Sequence, residues 1–305
     1  SLASSISTNT TNSIRNLLKN DDINENTKEI IVPEMLKLQD LIQDLFKQNK
    51  KVIFTMGKGG VGKTTLAAAI ALGLAEKGAK VHLTTTDPAD HLDFVIAQSD
   101  NVTISKIDEE VELNKYKEEV LKTAKDSMSD NDIAYIEEDL RSPCTQEIAL
   151  FRAFAEIVEK ADNEIVVIDT APTGHTLLLL DATESYHKEI QRSQGNVPES
   201  VKKLLPRLRN KNETEVVIVT LPETTPVFEA LRLQEDLKRA GINNKWWIIN
   251  SSLLLTETDN VFLKAKAQTE ITWINKVKEF AADNVVVVPW HGAEIKEENI
   301  RNLIN

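Results

Sequence analysis

The chain contains a run of glycine, lysine and threonine residues whose spacing is typical of a phosphate-binding loop. Residues 57–64 read GKGGVGKT and match the pattern G-x-x-x-x-G-K-[ST] at every fixed position. Glycines let the backbone curl so that successive N–H groups point at phosphate oxygens, and the helix that follows directs its positive end at the same place. In this pattern Lys63 contacts the β- and γ-phosphates, and the Thr64 hydroxyl binds Mg²⁺. The nucleotide-binding residues predicted in the loop are Gly57, Lys58, Gly59, Gly60, Val61, Gly62, Lys63, Thr64 and Thr65.

The second lysine of the loop, Lys58, is additional to the pattern. A lysine at the start of the loop points away from the terminal phosphate of its own nucleotide, so we expect it to reach a phosphate held by a facing copy of the domain. Two nucleotide sites would then lie against each other. The alternative is that Lys58 is a solvated loop lysine.

Three polar residues follow apolar segments that are predicted to be strands. Asp169 comes directly after the apolar run 165–168 and is the expected acid for holding Mg²⁺. Asp87 follows another strand and could orient or deprotonate the attacking water. Asn250 could recognise the adenine edge. The alternatives are that the two acids cap helices and that Asn250 merely ends a strand.

The elements that would position these residues alternate regularly between strand and helix. The strands are apolar on both faces, which is typical of a parallel sheet covered by helices, with ligands at the carboxyl ends of the strands. We therefore predict an α/β fold, a mostly parallel twisted sheet with helices on both faces. The predicted strands are 52–54, 80–86, 102–107, 165–168, 216–219, 246–249 and 285–288.

Other segments depart from this alternation. Residues 1–32 are rich in Ser, Asn and Thr and are expected to form a flexible linker or tail, so the domain proper would be 33–305. Polar insertions are expected near 108–139, as a solvated helical region, and near 188–212, where Pro198 and Pro206 should break the chain. Thr145 is the expected N-cap of a helix running to about Lys160. A helix after Pro33 should dock on the domain through Leu38, Leu41, Ile42, Leu45 and Phe46.

Composition restricts the possible partners and compartment. A formal charge of -12 repels nucleic acid and anionic membrane, so we expect no nucleic-acid partner. The single cysteine, Cys144, excludes an internal disulfide framework and suits the cytoplasm. Taken by itself, a lone cysteine is usually a buried residue without a chemical role. Four histidines show no ligand spacing and are expected to be structural or surface residues: His82, His91, His187 and His291.

Several longer motifs resemble the arsenical pump-driving ATPase family, ArsA, a deviant Walker A group of P-loop ATPases. The resemblance covers essentially everything from Lys51 onward. It implies an ATPase that uses ATP and Mg²⁺ and couples hydrolysis to arsenite or antimonite extrusion, as one of two halves driving a membrane efflux partner. The motifs are GKGGVGKTT at 57–65, LTTTDPADHL at 83–92, RSPCT at 141–145, DTAPTGHTLLLLDA at 169–182, TLPETTP at 220–226 and WIIN at 247–250.

The resemblance also implies a metalloid site and a set of partners. As(III) and Sb(III) are thiophilic, and Cys144 and His175 match metalloid ligands of the family's second half, so metalloid would act as an activating ligand. The remaining ligands would come from the other ATPase half or a second copy. The chain is expected to be a C-terminal half, cytoplasmic and peripheral to the membrane through its efflux protein, with a metallochaperone as a further partner.

Two other functions compete with this one. The ATPases that target tail-anchored membrane proteins resemble ArsA closely, but they need an apolar groove and often a C-x-x-C pair, whereas the insertions here are charged. A membrane-bound partitioning switch would need a basic amphipathic tail, and residues 294–305 are short and mixed in charge.

Overall fold

The computed structural model describes residues 35–86, 100–125, 129–170, 199–256, 258–292 and 297–304. The strands are β1 (Val52–Met56), β2 (Val81–Thr85), β3 (Val102–Lys106), β4 (Ile165–Asp169), β5 (Thr214–Thr220), β6 (Trp246–Ser252) and β7 (Val285–Pro289). The α-helices are α1 (Leu38–Lys47), α2 (Lys63–Glu76), α3 (Glu109–Lys125), α4 (Asp130–Asp139), α5 (Pro143–Glu159), α6 (Glu199–Arg209), α7 (Thr224–Arg239), α8 (Val261–Ala281) and α9 (Glu297–Ile304).

The described strands form a single parallel sheet in the order β3-β2-β4-β1-β5-β6-β7. The predicted α/β fold class is therefore confirmed. The strand that precedes the phosphate-binding loop, β1, lies between β4 and β5. Because all these strands run in the same direction, their carboxyl ends meet at one edge, which is where α/β proteins bind ligands.

Burial explains why these segments form strands. Every residue of β1, β2, β4 and β5 is buried, as expected for strands with helices on both faces, whereas the edge strand β3 is only partly buried. Helix α2 follows the loop and is also buried on nearly all sides, from Leu66 to Ala75. The loop is thus fixed at both ends, by a central strand and by a core helix.

The helix before β1 docks as the apolar spacing predicts, with one exception. Leu38, Leu41, Ile42 and Leu45 of α1 are buried in the same core as α2. Phe46, which was expected to dock with them, is 40% exposed. It follows Leu45 directly on a helix, so its side chain points about 100° away from the buried stripe.

Two predicted boundaries are wrong. Helix α5 begins at Pro143 with Ser142 in the N-cap position, and Thr145 lies inside it, with its hydroxyl donating to the Asp139 carbonyl. Helix α6 continues through Pro206, where the sequence predicts a break. Packing of one face of this helix outweighs the hydrogen bond that proline cannot make. The buried residues of α6 are Ser200, Val201, Leu204 and Leu208.

Within the polar region 108–139, the described residues include the helices α3 and α4. Helix α3 contacts α5 through Arg152, whose guanidinium donates two hydrogen bonds, of 2.9 and 3.1 Å, to the Glu119 carboxylate. Residues 1–32, predicted to be a linker, and Pro198 lie outside the described residues.

Candidate nucleotide site

The phosphate-binding loop contains two glycines that no other residue could replace without movement. Gly57 has a φ of +156°, and a Cβ built on it would lie 2.2 Å from the Val219 carbonyl oxygen of β5. Gly62 has a φ of +89°, and a Cβ there would lie 2.3 Å from Nδ2 of Asn250. The loop is therefore pressed against the carboxyl ends of both β5 and β6, and its glycines make that approach possible.

The predicted phosphate lysine, Lys63, is held over the loop. Its ammonium donates a hydrogen bond of 3.2 Å to the Lys58 carbonyl oxygen, and the residue is only 6% exposed. Lys63 is also the first residue of α2, so its charge and the positive end of the helix act at one place. These are the features of an anion site, and the whole predicted set from Gly57 to Thr65 lies within this loop and the first turn of α2.

The two side chains predicted to hold Mg²⁺ are in direct contact. The Thr64 hydroxyl donates to Oδ2 of Asp169 over 2.6 Å, and Asp169 is 1% exposed. Mg²⁺ prefers oxygen ligands such as carboxylates and takes few of them from the protein when it also binds phosphates. A hydroxyl and a carboxylate converging beside a phosphate loop fit that requirement.

Two buried threonines that the sequence reasoning missed flank Asp169. Thr55 on β1 and Thr85 on β2 are the register partners of Asp169 on either side of β4. Their hydroxyl groups lie 3.3 and 3.4 Å from its two carboxylate oxygens. A buried carboxylate needs such donors. The available signal was a threonine near the end of each neighbouring apolar strand.

The extra lysine of the loop, Lys58, has an ion-pair partner within the chain. Its ammonium lies 3.4 Å from a carboxylate oxygen of Glu229 on α7, and the two side chains are 39% and 37% exposed. Glu229 lies in the middle of a helix and shows no sequence signal that would have identified it. In this structure Lys58 is therefore bound to α7 of its own chain.

Asn250, the predicted adenine contact, lies at the carboxyl end of β6 beside the loop. Its Nδ2 donates a hydrogen bond of 2.9 Å to the Val61 carbonyl oxygen. The structure thus brings Asn250 together with the loop, Lys63, Thr64 and Asp169. Asp87 and His175 lie outside the described residues. Cys144 lies in the first turn of α5, and its side chain is outside what the structure describes.

A polar cluster covers another part of β2. His82 is buried, and its Nδ1 and Nε2 lie 2.9 Å from the Thr103 hydroxyl and 2.8 Å from the Ser105 hydroxyl. The Lys160 ammonium, which can only donate, lies 3.2 Å from Nε2, so the neutral ring carries its proton on Nδ1. Burial, and then the charge of Lys160, lower the pKa of His82 to about 4. His82 is therefore a buried member of a hydrogen-bonded cluster, and the sequence predicts a structural or surface role for it.

Two kinds of feature are absent from the part of the chain that the structure describes. Among the residues that the structure describes, no three or more His, Cys, Asp or Glu side chains are grouped so that they could hold a metal ion. Within the same described ranges, no helix combines the length and the apolar composition needed to cross a membrane.

Comparison with known proteins identifies relatives along most of the chain. The family model described as anion-transporting ATPase matches residues 50–197 and 193–303. An arsenical pump-driving ATPase of Acidiphilium multivorum is 47% identical over 264 residues, which are 86% of this chain and 45% of that protein. One of Escherichia coli is 47% identical over 84% of this chain and 44% of its own length. A putative arsenical pump-driving ATPase 2 of Aquifex aeolicus is 32% identical over 80% of this chain and 94% of its own length. The chain thus spans about half the length of the first two relatives.

Proposed function

The chain belongs to the anion-transporting ATPase family, and on that premise we propose that it hydrolyses ATP and couples hydrolysis to extrusion of arsenite or antimonite. The supporting observation is the contact of 2.6 Å between Thr64 and Asp169 beside a complete phosphate-binding loop. The names of its relatives as arsenical pump-driving ATPases support the choice of substrate. The membrane efflux protein that the ATPase would drive is a separate partner.

Each group of residues at the site has a separate role in phosphoryl transfer. The backbone N–H groups from Gly57 to Gly62 and the N-terminus of α2 bind the phosphates, and Lys63 stabilises the charge on the β- and γ-phosphates. Thr64 and Asp169 would hold Mg²⁺, which would supply positive charge beside the transferred phosphoryl group. Asp87 orients or deprotonates the attacking water. Asn250 contacts the adenine base.

A second ATPase unit completes the site. Lys58 binds a phosphate held by the facing unit, which is either the other half of a longer protein or a second copy of this chain. For this to happen, the ion pair of 3.4 Å between Lys58 and Glu229 must open. Both side chains are more than a third exposed, so this ion pair is weak and the exchange costs little free energy.

Metalloid binding regulates hydrolysis in this proposal. Cys144 and His175 supply a thiolate and an imidazole to As(III) or Sb(III), and the facing unit supplies the remaining ligands. His175 lies six positions after Asp169 in the sequence. A metalloid bound there would act on the segment that follows the Mg²⁺-binding carboxylate, and so would stimulate turnover. A metallochaperone would deliver the metalloid, and the ATPase would work in the cytoplasm, peripheral to the membrane.

The decisive experiment compares steady-state ATP hydrolysis by the wild type and Cys144→Ser, with and without antimonite, at low and high protein concentration. We expect weak basal activity that antimonite raises in the wild type only, and more at high concentration because the site forms between two units. Without antimonite the two proteins should hydrolyse ATP equally.

Other outcomes would redirect the proposal. If antimonite changes nothing at any concentration while ATP is still hydrolysed, the metalloid role of this chain fails and the alternative, targeting of tail-anchored membrane proteins, becomes the leading function. Equal stimulation of the wild type and Cys144→Ser would remove Cys144 from the metalloid site. Absence of ATP hydrolysis under all conditions would contradict the enzymatic part of the proposal.

A further inference from the structure

A buried carboxylate lies behind the carboxyl end of β6. Glu270, on α8, is 2% exposed. Its Oε2 accepts hydrogen bonds from the Ser252 hydroxyl at 2.7 Å and the Leu254 N–H at 3.3 Å, and its Oε1 accepts one from the Leu253 N–H at 3.2 Å. Glu270 therefore binds three donors of the turn that leaves β6. Burying a carboxylate is costly, and these bonds compensate for that cost.

The turn held by Glu270 begins two residues after Asn250. Ser251, between them, has a φ of +56°, the left-handed conformation that non-glycine residues rarely adopt. The register of β6 against β7 also shifts between Ile249 and Ser252. The backbone is thus bent away from regular strand geometry at the residue that follows Asn250, and such a conformation persists only where its surroundings fix it.

The Ser252 carbonyl oxygen of this turn has two further partners, one in the residue that follows β7 and one in the segment that follows β6. The Trp290 N–H donates to the Ser252 carbonyl oxygen at 2.9 Å, and the Thr256 hydroxyl donates to the same oxygen at 3.1 Å. Both bonds fix the carbonyl side of Ser252. Glu270 binds the Ser252 hydroxyl and the two N–H groups that follow it, and the Leu254 N–H is shared with the Ser252 hydroxyl oxygen, which lies 3.3 Å from it.

The orientation of the Asn250 amide determines which base it can accept. Its NH₂ group donates to the Val61 carbonyl oxygen, so we expect the amide oxygen to be the atom that contacts the base. A carbonyl oxygen accepts a hydrogen bond from the 6-amino group of adenine, whereas guanine presents an oxygen at that position and would place two acceptors together. Selectivity for adenine therefore depends on keeping Asn250 in this orientation against the loop.

We infer that Glu270 is a positioning residue for nucleobase selectivity: it fixes the left-handed turn after β6 and thereby holds Asn250 in the orientation that accepts adenine. This inference rests on the proposed function, because it assumes that Asn250 contacts the base. Glu270 itself does not touch the nucleotide. Its loss should therefore change the ratio of ATP to GTP affinity and leave the binding of the triphosphate intact.

The test is a double-mutant cycle read by calorimetric titration with ATP and with GTP in Mg²⁺. The variants are Asn250→Ala, Glu270→Gln and the double variant, with Glu279→Gln, an exposed acid on the same helix, as the control. Glutamine keeps the volume but turns an NH₂ group toward the donors of the turn. We expect the wild type to prefer ATP by roughly tenfold or more, and Glu270→Gln to lose most of that preference. The affinity for GTP should stay within about twofold of the wild type.

Coupling between the two residues distinguishes positioning from a merely structural role. If Glu270 acts through Asn250, the double variant should show the same ATP-to-GTP ratio as Asn250→Ala alone. A lower melting temperature for Glu270→Gln with an unchanged ratio would overturn the inference. Should Glu270→Gln not fold, Ser252→Ala removes the hydroxyl bond to Glu270 and the weaker contact of that hydroxyl with the Leu254 N–H. It should lower the ratio partially, and an unchanged ratio would again overturn the inference.

The outcomes separate this inference from its premises. If Asn250→Ala abolishes the preference for ATP and Glu270→Gln does not, the role of Glu270 alone is refuted. If Asn250→Ala leaves the ratio unchanged, the adenine contact and the inference both fail, while ATP binding stands. If the wild type binds neither nucleotide, the proposed function fails with them.

Discussion

The Thr64 hydroxyl lies 2.6 Å from a carboxylate oxygen of Asp169, although the two residues are 105 positions apart in the chain. Thr64 is in the first turn of α2, and Asp169 is the last residue of β4. They meet because β4 pairs directly with β1, the strand from which the loop leaves. The contact joins the phosphate-binding and metal-binding parts of the proposed site.

Asp169→Asn should therefore remove Mg²⁺-dependent catalysis without unfolding the protein. The amide keeps the size of the side chain but not its charge, so we expect ATP hydrolysis to fall by roughly 100-fold or more. Calorimetric titration should show a larger loss of affinity for MgATP than for metal-free ATP. The melting temperature should stay the same or rise, because a buried charge is removed.

Asp259→Asn is the matched control for this prediction, since its carboxylate is fully exposed and only 3.6 Å from Lys264 in a surface ion pair. It should hydrolyse ATP at the wild-type rate. Retention of most of the hydrolysis rate by Asp169→Asn would exclude Asp169 as the metal-binding acid.

Lys58 and Glu229 should differ in their effects on activity although they form one ion pair. Because both side chains are partly exposed, Lys58→Met and Glu229→Gln should each change the free energy of unfolding by no more than about 0.5 kcal/mol. Lys58→Met should lower ATP hydrolysis by about 100-fold, because a charge on the transferred phosphate is no longer stabilised. Glu229→Gln should keep or raise activity, since it releases Lys58.

The measurement is the hydrolysis rate over a range of protein concentrations, with Lys264→Met as the control for loss of an exposed, ion-paired lysine. Equal losses of activity in Lys58→Met and Glu229→Gln would mean that the ion pair itself is the active arrangement. In that case Lys58 would not exchange to a facing phosphate.

Gly57 and Gly60 offer a comparison within the loop. Both have a positive φ, but a Cβ on Gly57 would collide with the Val219 carbonyl, whereas one on Gly60 would meet nothing within 4 Å. Gly60→Ala should cost about 1 kcal/mol of unfolding free energy from backbone strain alone. Gly57→Ala should cost about 2 to 4 kcal/mol and displace the loop from β5. Urea unfolding and ATP titration of both variants test this, and equal costs would contradict it.

His82 should make the fold sensitive to moderate acid. Its pKa is about 4 in the folded protein against 6.5 as its ordinary value. As the pH falls, the unfolded chain therefore binds a proton before the folded protein does. The contribution of His82 to the free energy of unfolding is fully present above about pH 6.5 and is lost progressively toward pH 4. Between about pH 8 and pH 5 the loss due to this residue should be about 1 to 2 kcal/mol.

This contribution is measured as the difference between the wild type and His82→Gln in urea unfolding at the two pH values. The glutamine variant should lose less stability on acidification, because the group that takes up the proton is gone. His291→Gln, at an exposed position, should behave as the wild type. Identical pH dependence in the wild type and His82→Gln would show that the pKa of His82 is not lowered in the folded protein.

The central strands were predictable because they are buried on both faces, which leaves continuous apolar runs in the sequence. The loop was predictable because it matches a short sequence pattern, and Asp169 was predictable because it directly follows an apolar run. Helix α6 was not predictable, because Pro206 signals a break, whereas the helix continues through it with one face, which includes Leu204 and Leu208, buried. Packing between segments that are distant in the chain cannot be recognised from a short stretch of sequence.

Some side-chain contacts of the site also have a signal in the local sequence, and others have none. The partner of Lys58 is a mid-helix glutamate on α7, which no local pattern could identify. Glu270 did have a signal, because it lies between Ala267 and Ile274 on the buried stripe of α8 and is the acidic member of that stripe. A charged residue at a core position indicates a specific partner, but the identity of that partner depends on the turn after β6.

The position of β1 in the sheet also has a consequence for biosynthesis. Val52 pairs with Val166 on one side and with Thr214 on the other, so both neighbours of this strand are translated long after it. Closing such long segments costs entropy before any contact is gained. On the ribosome, β1, the strand that precedes the phosphate-binding loop, cannot be paired on both sides until β5 has emerged. We therefore expect ATP binding to be acquired late in translation, and truncated nascent chains that end before β5 to depend on chaperones.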